Sequence, residues 1–308
     1  MKRRPPSRLG ITRRVSLGFA AVALVLTGCN AADGSPSAST ATLKVVATTT
    51  VFADIIRNVG GDRVAVSSII PPGVGPEDYE PKPDDARKLA DADLIVSNGV
   101  GLDDFLDKLI GAGRSAQAAR LVLGDGIPTI LVNGEANPHF WLDPSLVIDH
   151  YLPAITAELG KLDPPGAAGY TANASAFAAK AHSMDAANMA KVESIAAANR
   201  RLVTFHDAFP YFAKHYGFEL VGVILANVGQ EPSASDLARL VDEVRAAHVP
   251  AVFSEAQFSP KLAQTLAQEA GVTKVVTTLY NDALGPAPAD NYLGLMEWNM
   301  DEIVRALT

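Results

Sequence analysis

The sequence predicts an α/β protein of two parallel-sheet domains joined by one long helix. Three observations carry that expectation. Short apolar, β-branched runs alternate with helix-like segments, the pattern of parallel strands covered by connecting helices. The alternation stops once, at an alanine-rich stretch, and then resumes over a similar length. The 308 residues are 48% hydrophobic and 19% charged, which supports a sizeable core and excludes a disordered chain.

The N-terminal segment stands apart from both domains. Lys2, Arg3, Arg4, Arg8, Arg13 and Arg14 precede an apolar run at residues 15–26, which is shorter than the ~20 residues a membrane-spanning helix needs. This is the layout of a secretion signal. The run closes on Leu26-Thr27-Gly28-Cys29, which resembles the bacterial lipoprotein box, where the cysteine becomes the acylated first residue of the mature chain. Residues 1–28 are therefore expected as a signal peptide, Cys29 as the lipidation site and residues 29–42 as a flexible polar linker. A plain secretion signal with a buried Cys29 is the alternative. Cys29 is the only cysteine, so neither an internal disulfide nor a cysteine zinc cluster can form. Without the leader, 20 basic residues face 34 acidic ones, a net charge of −14. That balance disfavours nucleic acid as a partner and suits a cationic ligand better.

The first domain is expected over residues 43–163. LKVVATTT reads as a buried strand and VFADIIRNVGG as a helix closed by Gly60 and Gly61. VAVSSII is a second strand, followed by the loop PPGVGPEDYEPKP. The helix DDARKLADA, strand DLIVSNG, helix LDDFLDKLIGAG and strand ARLVLGDG complete the set. Residues 164–200 begin with Pro164 and Pro165, contain no later proline and are rich in alanine, the best helix former. A helix of about 30 residues would be ~45 Å long, a stiff spine between domains. Two shorter helices with a bend near Ser183 are the alternative. Residues 201–308 resume the alternation with strand RLVTF, helix AFPYFAKHYG and strand ELVGVIL. Helix SASDLARLVDEVRAAHV, with serine capping candidates, is followed by strand AVFSEA, helix SPKLAQTLAQEAG, strand KVVTTLY and a C-terminal helix.

Familiar catalytic signatures are absent: there is no GxGxxG after a strand, no GxxxxGK[ST], no HExxH and no GxSxG. Open α/β sheets bind ligands at the carboxyl ends of their strands, and four loops expected there carry metal-type residues. These are Glu77 in GPEDYEP, His139 in NPHFWLDP, His206 in VTFHDAF and Asp282 in LYNDALG. Each alone also reads as structure: a hydrogen-bonded strand-end histidine, a helix cap, a solvated carboxylate. Their joint placement, two from each domain, is what points to a site.

These same segments resemble those of the metal-binding lipoproteins of bacterial zinc and manganese ABC importers, the cluster A-I (cluster nine) solute-binding proteins. GPEDYEPKP is similar to the family's DPHxYEP, NPHFWLDP to NPHxWLDP, FHDAFPYFAKHYG to HxAFxYFxxxYG, and LYNDALG to YTDxxG. The resemblance implies two Rossmann-like domains joined by one long rigid helix, with the metal in the cleft between them. It implies four metal ligands, here Glu77, His139, His206 and Asp282. Glu77 departs from the family's usual histidine, and Asp78 is the fallback ligand in that loop. Two imidazoles and two carboxylates suit Zn²⁺ in a tetrahedral site, or Mn²⁺ if the carboxylates bind through both oxygens. The histidine kept at position 206 favours zinc. Glu255, at the end of AVFSE, is expected to orient a ligand histidine from behind. Trp141 and Tyr79 are expected in the cleft walls. His150, His182, His215 and His248 read as helix-surface or packing residues.

The resulting expectation is a monomeric, non-enzymatic receptor on the outer face of the cytoplasmic membrane. It would pass its metal to an ABC permease with a cytoplasmic ATPase. A metal-dependent hydrolase using the same ligands and a surface adhesin are the rival readings. Catalytic zinc keeps an open position for water, so a full set of protein ligands favours transport.

Overall fold

A computed structural model describes residues 42–76, 79–110, 117–225 and 232–308. The signal peptide, Cys29, Glu77 and Asp78 lie outside the described residues. The first half is a four-stranded parallel sheet in the order β2-β1-β3-β4: β1 (Leu43–Ala47), β2 (Val64–Ser68), β3 (Leu94–Ser97) and β4 (Ala119–Val122). Three helices, α1 (Thr50–Gly60), α2 (Pro83–Ala90) and α3 (Phe105–Ile110), connect these strands. Strand alternation explains why both faces are covered. Val45 and Ala47 of β1, with Leu94 and Val96 of β3, enter one core, while Val46 and Ile95 enter the opposite one.

A short antiparallel hairpin, β5 (Leu131–Val132) and β6 (Glu135–Ala136), precedes the His139 loop. After it, α4 (Pro144–Leu146) passes into a π-helical turn at Val147–Tyr151 and then into α5 (Leu152–Leu162). Pro153 lacks an N–H and crowds the carbonyl four residues back, so the helix widens there. The Leu152 N–H bonds the Val147 carbonyl.

The spine is α6 (Ala167–Glu193), one unbroken helix of 27 residues, ~40 Å long, with no bend at Ser183. Its buried residues, Tyr170, Phe177, Ala181, Met184, Asn188 and Val192, recur at three, four or seven residues and form one stripe. The stripe packs on α1, on α5 and on the C-terminal helix α10 (Tyr292–Leu307).

The second half follows the same strand–helix alternation, with its strands in two parallel pairs. β7 (Arg201–His206) pairs in parallel with β8 (Glu219–Leu225), β9 (Ala251–Glu255) pairs in parallel with β10 (Lys274–Leu279), and β7 lies beside β9. The connecting helices are α7 (Pro210–Tyr216), α8 (Ala234–Ala246) and α9 (Lys261–Ala270). The Ser233 hydroxyl caps α8 by accepting from the Asp236 N–H. Gly217 closes α7 at φ 74°, a left-handed position that suits glycine.

The halves are not separate cores. One cluster joins Val45, Phe52 and Trp141 to Phe212, Phe253 and Tyr292 across the spine. Hydrogen bonds cross with it: Leu284 N–H to Thr50 Oγ1 at 2.8 Å, Tyr292 N–H to Asp54 Oδ2 at 2.9 Å and the Tyr292 hydroxyl to the Trp141 carbonyl at 2.9 Å. No helix among the described residues is long and apolar enough to cross a membrane.

Candidate metal centre

Three of the four expected ligands come together, and each stands where a strand or its loop ends. His206 is the last residue of β7, Asp282 follows β10 by three residues, and His139 leads into a tight turn at Phe140–Leu142. One ligand atom from each lies within 4.8 Å of the others, and all three residues are buried. The two imidazole rings are 5.3 Å apart. Glu77 cannot be placed with them, because it lies outside the described residues.

A neighbouring amide decides which nitrogen the His139 ring presents. The Asn137 amide donates to the Asp207 carbonyl at 2.7 Å, so its oxygen faces the other way. That oxygen accepts from the His139 N–H and from His139 Nδ1, each at 3.1 Å. In the neutral ring the proton of His139 therefore sits on Nδ1, and Nε2 carries the lone pair that a metal would take. Nε2 lies 3.3 Å from Asp282 Oδ1, and neither atom has a hydrogen-bond partner among the described residues. Two buried acceptors thus face each other with no donor between them. Buried polar atoms are rarely left this way, and a cation between them removes the conflict.

A buried carboxylate stands on the opposite side of His206. Glu255, fully buried at the end of β9, places Oε1 3.3 Å from His206 Nδ1. His206 Nε2 faces Asp282 Oδ2 at 3.6 Å. The Trp141 ring lies 5.1 Å from that of His139, and its indole N–H donates to the Asn281 carbonyl at 2.8 Å, which ties the two ligand loops together. Tyr79 is elsewhere: its ring packs on Phe105 and its hydroxyl donates to Asp85 at 2.5 Å, so it belongs to the outer core of the first half and not to the cleft wall. An open cleft of about 710 Å³ leads to the ligands past Asp104, Glu135 and Asp207. Burial raises the carboxyl pKa of Asp207.

Of the remaining histidines, His182 and His248 are exposed and His150 is half-buried in the π-helical turn. His215 does more than the helix-end position suggested. Its Nδ1 lies 3.0 Å from Asp143 and its Nε2 2.8 Å from Asp185, so the ring joins the His139 loop to the spine. Burial works against its charge, but the hydrogen bonds and attraction of the two aspartates push its pKa up to about 9. Burial alone would likewise raise the Asp143 pKa, but the bonds from His215 and Ser145 outweigh it and leave that pKa lowered. Asn137, Asn281, Asp143 and Asp185 were not singled out from the sequence. Only the asparagine beside the His139 motif carries a local signal; the others act through partners remote in the chain.

Two α/β halves about a rigid spine, with imidazole and carboxylate converging between them, define a metal-binding protein of the two-lobed kind. The family described as ZnuA, zinc-uptake complex component A, periplasmic, matches residues 45–306, and the chain belongs to it. It is 31% identical to the manganese-binding lipoprotein MntA of Halalkalibacterium halodurans over 290 residues, covering 93% of this chain and 96% of that one. It is 35% identical to the iron-binding protein YfeA of Yersinia pestis over 283 residues, covering 89% of each. Among solved structures, the periplasmic zinc-binding protein TroA of Treponema pallidum superposes with a TM-score of 0.79 at 30% identity, covering 87% of this chain and 99% of that one.

Proposed function

We propose that this protein captures a divalent transition metal outside the cytoplasm and delivers it to the membrane permease of an ABC importer. The observation that carries this is the pair of unpartnered acceptors, His139 Nε2 and Asp282 Oδ1, buried 3.3 Å apart beside His206. The metal is cargo. His139, His206 and Asp282 would bind it, with Glu77 as the fourth ligand and Glu255 behind His206. Named relatives bind manganese, iron and zinc, so the family does not select the ion. Two imidazoles among the donors favour zinc, with manganese as the alternative. Four protein ligands leave no position for a reacting water, which supports a non-enzymatic receptor. The rest of the reading follows the leader and the family: residues 1–28 are removed, Cys29 carries the lipid, residues 29–42 tether the mature protein to the outer face of the membrane, and it acts as a monomer. Residues 43–163, 164–200 and 201–308 form its first domain, spine and second domain.

The test is calorimetric titration of metal-stripped protein with zinc and with manganese. Zinc is expected to bind more tightly, following the intrinsic affinity order. Glu77→Gln keeps the shape and removes the charge, and is expected to weaken binding by well over tenfold, more than ~1.4 kcal/mol. If Asp78→Asn carries that loss instead, the fourth ligand is reassigned. No binding of any divalent metal by the unmodified chain overturns the receptor reading.

A further inference from the structure

The hairpin that leads to His139 has a side chain of the other half inserted in its ladder. Val132 pairs with Glu135 and Leu131 with Ala136, so Ile130 and Asn137 stand opposite each other where antiparallel strands exchange two bonds. One is direct, from the Asn137 N–H to the Ile130 carbonyl at 2.9 Å. In place of the other stands the Tyr211 hydroxyl, which accepts from the Ile130 N–H at 2.9 Å and donates to the Asn137 carbonyl at 3.0 Å. Backbone donors and acceptors cannot exchange roles, so both directions are settled. The buried side chain of Asn137 makes a second crossing: its NH₂ group reaches the Asp207 carbonyl at 2.7 Å while its oxygen serves His139. Asn137 stands two residues before one ligand histidine, and Asp207 and Tyr211 stand one and five residues after the other. The Tyr211 ring also packs on Phe140, the residue after His139, at 5.0 Å.

We infer that Asn137 is a positioning residue: with the Tyr211 hydroxyl behind it, it sets the separation of the His139 and His206 imidazoles across the cleft before any metal arrives. The inference rests on the metal-receptor reading and names what prepares its two nitrogen donors. Zinc takes imidazole nitrogen at about 2.0–2.1 Å, so rings carried by different halves must be placed within roughly 0.5 Å to serve one ion. A single residue bonded to both ligand segments gives that placement without help from the ion. The two ends of the Asn137 amide have separate tasks. Its oxygen fixes the rotation of the His139 ring and, in the neutral ring, the site of its proton. Its NH₂ group fixes the distance to the segment that follows His206. This ordering is completed on folding, so binding need not supply it.

The test compares the metal-stripped protein with its Asn137→Ala and Tyr211→Phe variants, using Zn²⁺ for affinity and Co²⁺ as a spectroscopic probe of ligand geometry. Asn137→Ala should weaken zinc binding about 10- to 100-fold, as loss of a partner behind a metal-bound histidine does. Tyr211→Phe touches neither histidine, but it lets Ile130 and Asn137 pair directly and draws Asn137 from its place. It should weaken zinc binding about two- to tenfold, the worth of one net hydrogen bond. Both variants should alter the visible spectrum of bound Co²⁺. Imidazole ¹⁵N spectra of the metal-free protein should show neutral His139 protonated on Nδ1, and a mixture of tautomers in Asn137→Ala. Unchanged zinc affinity in either folded variant overturns the inference, and Tyr211→Phe decides it even if Asn137→Ala fails to fold. Weaker binding with an unchanged Co²⁺ spectrum means only a loosened fold and overturns it as well. A His139 proton on Nε2 in the unmodified protein overturns the role of Asn137 independently of any metal. Failure of the unmodified protein to bind zinc or manganese would instead remove the receptor reading.

Discussion

Among the described residues two clusters are built from histidine and aspartate, one half-buried and one fully buried, and they do opposite things. In the first, His215 sits between Asp143 and Asp185, and both ring nitrogens meet a carboxylate at hydrogen-bond distance. In the second, His139 and Asp282 approach to 3.3 Å with an acceptor on each side and nothing to donate. The first is closed by its own proton and behaves as a structural ion cluster. The second needs a cation from outside. Residue type is alike in the two, so it does not mark a metal site; the direction of the remaining lone pairs does.

The largest effect that should separate the clusters is stabilisation by metal. Zinc at ~1,000 times its dissociation constant should stabilise the fold by roughly 4 kcal/mol, read from denaturant midpoints. Asp282→Asn should abolish most of that gain and leave the metal-free protein nearly as stable as before, since it relieves one unpaired acceptor. An unchanged metal response in that variant would break the comparison.

Next in size is the His215 cluster, whose pH sign is opposite. Its folded pKa of about 9 lies above the ordinary 6.5, so its stabilisation is fully present below pH 6.5 and is lost as pH rises toward 9. At pH 6, His215→Ala should cost roughly 3 kcal/mol, shrinking to a small packing loss above pH 9. Zinc affinity at neutral pH should change little. In the metal cluster, by contrast, protons compete with the ion for nitrogen, so affinity should fall as the solution is acidified. Acidification would thus tighten one cluster and empty the other. Parallel pH dependences would mean that the two are one network.

Smaller still is the effect of the support behind His206. Glu255→Gln should weaken zinc binding about 10- to 100-fold, as loss of a carboxylate partner behind a metal-bound imidazole does elsewhere. His182→Ala, on the exposed face of the spine, should be silent in the same titration.

The parts legible in the sequence share a physical reason. Strands such as LKVVA and RLVTFH are continuous apolar runs because both faces of each sheet are covered, and the spine is an alanine-rich stretch without an internal proline. That His139, His206 and Asp282 converge could be expected because strand ends are where such sheets hold ligands. What escaped was set by tertiary contact. The β5–β6 hairpin has two residues per strand, too few for periodicity to register. His215 meets partners 72 and 30 positions away. Asn281 looks like an ordinary loop asparagine until the Asp282 N–H and His206 are seen on either side of it.

The C-terminal helix has a consequence for how the chain matures. α10 lies on the spine and on α1, and Tyr292 and Leu284 bond to residues 238 and 234 positions earlier. The shared core therefore lacks a wall until the last residues have been made, and contacts of such long range close slowly. A chain that crosses a translocation channel by threading has to stay unfolded until it has crossed, and the leader expected at residues 1–28 is compatible with that route. For a chain exported in that way, as proposed above, placing the final wall at the end of the chain would delay folding until translocation is nearly complete, and the metal cleft would first take shape outside the cytoplasm.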